Sequence, residues 1–147
     1  FDEASVHDLL TEYFDEILKM LEWGNFDILA HLTYPLRYFY AKSGISVDMR
    51  DYKTQVDEIL RQTAQKGKAL EINTAGLRQP IGKLSPEADV VCRFKELGGE
   101  YVTYGSDAHY AEDIGKGMDE AYDVMRQAGF KELTFFQQRI PLKMPIE

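Results

Sequence analysis

A single cysteine in 147 residues excludes a disulfide framework and any cysteine-rich zinc site. No apolar run approaches the roughly 20 residues that span a bilayer, and no signal-peptide pattern opens the chain. A cytoplasmic protein without a membrane partner is therefore expected. Basic residues are also scarce: Lys and Arg number 17 against 25 Asp and Glu, a net charge of -8 with a pI near 4.9. Tracking a nucleic-acid backbone needs a basic footprint, so nucleic acid is excluded as a partner. A small anionic substrate then needs a local positive centre, either a metal ion or an arginine. Sequence repeats, low-complexity stretches and linkers are missing too, so one domain is expected to take in residues 1–147. What is present suits a folded chain with a real core, at 44% hydrophobic and 29% charged residues.

Apolar residues at steps of three and four (Val6, Leu9, Leu10, Tyr13, Phe14, Ile17, Leu18, Leu21) predict a long amphipathic helix, with Ser5 as N-cap and Gly24-Asn25 as its stop. Residues 26–30 (FDILA) read as a short buried strand, and His31 to about Asp51 as an irregular loop broken by Pro35 and Gly44. Val56, Ile59, Leu60, Thr63 and Ala64 mark a second helix before Gly67, and residues 69–74 (ALEINT) a second strand. Ser85-Pro86 reads as the start of a third helix, with Pro at its first position and Gly98-Gly99 at its end. Residues 101–105 (YVTYG) form a third strand, a helix containing Ile114 to Met125 follows, and residues 132–136 form a fourth strand before a Pro-containing tail. Strands spaced roughly 30–45 residues apart with intervening helices are those of βαβ units. The expected fold class is α/β, with about four βα units and four parallel strands. An open doubly wound sheet and an arc of a (β/α) barrel both fit; a whole barrel needs about 200–250 residues.

Two of the three histidines follow strands directly. His31 ends FDILAH, and Asp107 with His109 lies in GSDAH after YVTYG. Functional groups of parallel α/β folds collect at strand carboxyl ends, so these residues are expected on one rim. Imidazole and carboxylate donors suit Mn, Fe or Zn. Histidines beside apolar strands are often packed loop residues, and an Asp after a strand is often a helix N-cap. The three together on one rim favour a metal site. His7, among acidic residues of the first helix, and Cys92, in the third, read as structural. Asn73, at the end of the second strand, could orient a ligand or simply make a turn. Arg37 and Arg78 lie in irregular segments after strands, where a guanidinium fork could hold a phosphate.

FDILAHLTYPLRY (residues 26–38), EINTAGLR (71–78) and GSDAH (105–109), in this order and spacing, resemble histidinol-phosphatases of the PHP (polymerase and histidinol phosphatase) family. The resemblance covers nearly the whole chain. It implies a distorted (β/α)7 barrel holding two or three divalent metal ions (Mn, Fe or Zn) at the strand ends. It makes His31, Asp107 and His109 metal ligands, and puts Arg78, with Asn73 and Arg37, at the substrate. The activity implied is hydrolysis of histidinol phosphate to histidinol and phosphate, a step of histidine biosynthesis.

The chain departs from the family pattern at two points. The commoner form has an Asp two positions after the motif histidine, where Thr33 stands here. The opening His-x-His motif and the further His and Glu ligands have no counterpart, and the chain begins with Phe1. The expectation is a C-terminal part of a single PHP-type barrel, inactive alone, with a sheet edge open to self-association. The rival readings are a PHP phosphoesterase for another phosphate ester or nucleotide, and a non-catalytic α/β binding module.

Overall fold

The first helix starts from a reciprocal cap. In the computed structural model, which describes residues 1–146, the Asp2 carboxylate accepts the Ser5 N–H at 2.8 Å and Ser5 Oγ accepts the Asp2 N–H at 3.0 Å. Asp2, not Ser5, is thus the N-cap; Ser5 is the third residue of a capping box that opens α1 (Glu3–Trp23). Gly24, with φ of 71°, ends it, as expected. The inner stripe of α1 is Val6, Leu10, Phe14, Ile17 and Leu21, all buried.

Three strands follow the βαβ pattern: β1 (Ile28–Leu29), β2 (Ala69–Asn73) and β3 (Tyr101–Gly105) pair in parallel in the order β1-β2-β3. The segment read as a loop after β1 contains a helix, α2 (Leu36–Ser43), entered from Pro35 and closed by Gly44. Pro35 is compatible with a helix start, which is how a breaker residue came to flank an element. A helical turn at Met49–Tyr52 leads into α3 (Lys53–Gln65). The next helix, α4 (Ala88–Glu96), begins two residues after Pro86, with Glu87 as its N-cap. The Ser85-Pro86 start is corrected because Ser85 is occupied elsewhere, in a backbone bridge with Asn73 (3.0 Å in each direction). The last helix, α5 (Met118–Ala128), excludes Ile114, which is 74% exposed.

The fourth strand departs most from expectation. β4 (Glu132–Gln137) does not join the parallel sheet but pairs antiparallel with β5 (Ile140–Pro145), the expected tail. Gln138 and Arg139, both with positive φ (50° and 65°), make the two-residue turn that a tight hairpin requires. The Arg139 guanidinium then grips both Asp27 oxygens (3.0 and 3.2 Å) and Asn25 Oδ1 (2.7 Å), fixing the hairpin beside the start of β1.

The helices pack in the order α1, α3, α4, α5, with α3 and α4 against β2 and α5 against β3. Alternation along β2 sends Leu70 and Ile72 into the core with Val102 of β3. Glu71, Asn73, Thr103 and Gly105 occupy the opposite side. The fold therefore gives the sheet an apolar helical face and a polar face. Among the described residues no helix is long and apolar enough to cross a membrane.

Candidate functional site at the strand carboxyl ends

The parallel register aligns Leu29 with Leu70 and Asn73 with Gly105, so the chain leaves all three strands at the same end. His31, Asn73 and Asp107 are therefore carried to one rim. Two of them have backbones that side chains seldom adopt: φ is 35° at His31 and 51° at Asp107. The other described non-glycine residues with positive φ are Gln138 and Arg139 of the hairpin turn, where the geometry itself demands it. His31 and Asp107 lie outside any hairpin turn, and strain of this kind concentrates at functional sites.

The rim has two groups of residues. On the β1–β2 side, the His31 N–H donates to Glu71 Oε2 at 2.9 Å, and Asn73 Nδ2 donates to the same oxygen at 3.3 Å. Asn73 Oδ1 accepts the Ala75 N–H at 3.0 Å, so this buried amide makes the turn as well as facing the rim. The His31 ring lies 4.8 Å from the Tyr34 ring, and the Arg37 guanidinium sits 3.8 Å above that ring. Tyr34 and Tyr38 share a hydroxyl hydrogen bond of 2.7 Å; together with Arg37 it holds the Tyr38 phenol below its ordinary pKa. Beside this stack lies a cavity of about 200 Å³ that His31, Arg37, Asn73, Thr33 and Ser85 help to line. Thr33, at the position where the commoner family form carries an Asp, meets Ser85, hydroxyl to hydroxyl at 2.9 Å.

The β3 side carries Arg78, Asp107 and His109. Arg78 Nη2 donates to the Ser106 carbonyl at 2.7 Å, and its Nε lies 3.6 Å from Asp113. Lys116 hydrogen-bonds Asp113 at 2.8 Å and, with Arg78 nearby, keeps that carboxyl below its usual pKa. His109 is exposed, with Nδ1 3.0 Å from the Asp107 carbonyl and 3.9 Å from its carboxylate. The segment after β3 is locked down through Lys116, whose carbonyl accepts from both Thr74 Oγ1 (2.7 Å) and Tyr104 OH (2.8 Å). Gly117 lies so close that a Cβ there would stand 2.5 Å from that of Thr74.

His31 Nδ1 is buried and has no hydrogen-bond partner. A buried imidazole nitrogen without a partner, with a carboxylate and a second imidazole along the same rim, is donor chemistry that fits a divalent transition metal. Among the described residues, however, no three His, Cys, Asp or Glu side chains converge on one point. Glu71 is the residue that sequence reading passed over as a candidate. Its signal was an acidic side chain flanked by Leu70 and Ile72 inside an apolar strand, a pattern that ordinary alternation also produces.

The chain as a whole has counterparts among known proteins. A PHP domain match covers residues 1–75. A probable histidinol-phosphatase of Thermotoga maritima is 37% identical over 127 residues, 86% of this chain and 52% of that protein. The histidinol-phosphatase of Lactococcus lactis is 35% identical over 126 residues, 85% of this chain and 46% of that protein. A crystal structure of histidinol phosphate phosphatase from Lactococcus lactis, complexed with zinc, L-histidinol and phosphate, superposes with a TM-score of 0.77 at 30% identity. That superposition covers 90% of this chain and 50% of the other. The chain thus spans about half the length of the relatives it matches. With a parallel sheet that ends in a polar rim and a domain match over half of its residues, the chain belongs to the PHP domain family.

Proposed function

We propose that these residues form part of a PHP-type (β/α) barrel, its C-terminal portion, in a metal-dependent phosphomonoesterase that hydrolyses histidinol phosphate in the cytoplasm. The observation that carries this reading is the likeness, over most of the chain, to an enzyme crystallised with zinc, L-histidinol and phosphate. His31, Asp107 and His109 are the metal ligands, and donors from outside these residues complete a centre of two or three Mn, Fe or Zn ions. Such a centre supplies positive charge for the phosphate oxygens and acidifies a water for attack on phosphorus. Phosphorus gains the water oxygen, the ester P–O bond breaks, and the alcohol leaves with a proton.

The chain's own residues orient this reaction. Arg78 presents a guanidinium fork beside Ser106 and Asp107, where a phosphate competes with Asp113 for it. Asn73 and Arg37 border the cavity next to His31 and receive the remainder of the substrate. Self-association uses the outer edge of β1, which has β2 on one side only in the described sheet. Phosphate release from L-histidinol phosphate and from a panel of nucleoside monophosphates, assayed with full-length protein and Mn or Zn, tests the reading. Preference for histidinol phosphate supports it. Preference for a nucleotide would move the chain to another PHP phosphoesterase, and inactivity toward every ester would leave a binding module.

A further inference from the structure

We propose that Glu71 is a positioning residue whose carboxylate sets the backbone of His31 and ties the ends of β1, β2 and β3 together. The inference rests on the phosphatase reading for its consequence, but its geometry stands independently. A carboxylate in the middle of a buried strand is costly unless it is hydrogen-bonded. Glu71 is half-buried, and its Oε2 accepts from the His31 N–H (2.9 Å) and from Asn73 Nδ2 (3.3 Å).

The first of these bonds meets a need. β1 ends at Leu29, so the His31 N–H lies beyond the β-ladder. His31 also turns left-handed, at φ 35°, which a residue with a Cβ resists. A charged acceptor at 2.9 Å satisfies the N–H and stabilises the turn in one contact. Removing it frees the backbone that aims the imidazole.

The other side of the carboxylate touches β3. A Cβ at Gly105 would lie 2.2 Å from Glu71 Oε1. Gly105 does not have a left-handed φ, so glycine is required there for space and not for conformation. Two residues later comes Asp107. One side chain therefore spaces the His31 and Asp107 segments across the end of the sheet.

The test compares Glu71→Ala, Glu71→Gln, Gly105→Ala and the double variant in full-length protein, reading amide hydrogen exchange, thermal unfolding and zinc titration. In Glu71→Ala the His31 amide is expected to exchange at least about tenfold faster while amides within β2 and β3 keep their protection. Glu71→Gln, which keeps an oxygen acceptor, stays within about threefold of the parent. Gly105→Ala lowers the unfolding temperature when Glu71 is present and has little effect once Glu71 is alanine, a coupling readable even where the single variant is unstable. Zinc binding weakens about tenfold or more in Glu71→Ala, the range of lost outer-shell support, and recovers in Glu71→Gln. An unchanged His31 amide, equal loss of protection throughout the sheet, or additive effects at positions 71 and 105 would overturn the proposal. A responsive His31 amide in a protein that neither binds zinc nor releases phosphate would keep Glu71 as the positioning residue and remove the phosphatase reading. Intact zinc binding and activity with an indifferent His31 amide would do the reverse.

Discussion

A left-handed backbone at a residue with a Cβ costs about 1–3 kcal/mol, and along this rim the cost recurs at His31 and Asp107. Each lies two residues beyond the end of a strand, in the region where parallel sheets assemble their sites. Asp107→Ala is expected to lower the metal content of full-length protein while the variant still folds and melts cooperatively. Metal analysis paired with thermal melts checks this. His7→Ala is expected to change activity less than about twofold, because His7 is an exposed residue of α1 whose ring lies 3.2 Å from the Tyr52 hydroxyl, and surface changes of this kind are usually small. His31 and Asp107 stand out as candidates in the sequence because each lies two residues beyond an apolar strand, and Asn73 because it ends one. Glu71 could not be separated in the same way: its chemistry depends on the His31 N–H that lies outside the β-ladder and on the missing side chain of Gly105, which meet only after three strands align.

At the scale of elements, spacing translated well wherever one face was apolar. Five of the eight apolar positions that the periodicity of α1 marks are buried, Tyr13 and Leu18 are partly so and Leu9 is exposed; Phe14 at the centre is fully buried, edge-on to Tyr52 at 5.6 Å. Phe14→Ala should destabilise the protein by about 3–5 kcal/mol, measurable by denaturant titration. Ion pairing across elements gives a pH signature. Arg93 of α4 grips both oxygens of Asp57 on α3 (2.9 Å each), with Lys53 as a further partner, and together they hold the Asp57 carboxyl well below the usual carboxylate range. Because the folded value is depressed, the stabilisation is present above the unfolded value of about 3.9 and is lost as pH falls through the lower folded value. Asp57→Asn should therefore melt lower than the parent at pH 7, and the gap should narrow progressively as pH falls below about 4. Boundaries failed where local signals were ambiguous. Pro35 looked like a breaker but opens α2, and the hairpin of β4 and β5 turns on Gln138-Arg139, which carries no Asn-Gly signature; the Arg139 side chain instead bonds Asp27 and Asn25.

For the whole molecule, the apolar and polar faces of one three-stranded sheet organise everything else: helices cover the first, and the second leads to the rim. Parallel pairing could be inferred from strand spacing for β1 to β3 but not for β4, whose partner lies on the chain after it and not across the sheet. The outer edge of β1, with Ile28 38% exposed, is expected to drive these 147 residues to self-associate. Light scattering at rising concentration should show growing mass, and a monomer throughout would count against an edge that the rest of a barrel covers. The central claim is that the rim belongs to a metal-dependent histidinol phosphate phosphatase. Its most direct test is kcat/KM for L-histidinol phosphate in full-length protein, parent against His109→Ala, with Zn or Mn supplied. The expected result is measurable hydrolysis by the parent and a loss of at least about 100-fold in a folded variant, as removal of a metal ligand requires. Equal rates in the two proteins, or no hydrolysis by a metal-loaded parent, would contradict it.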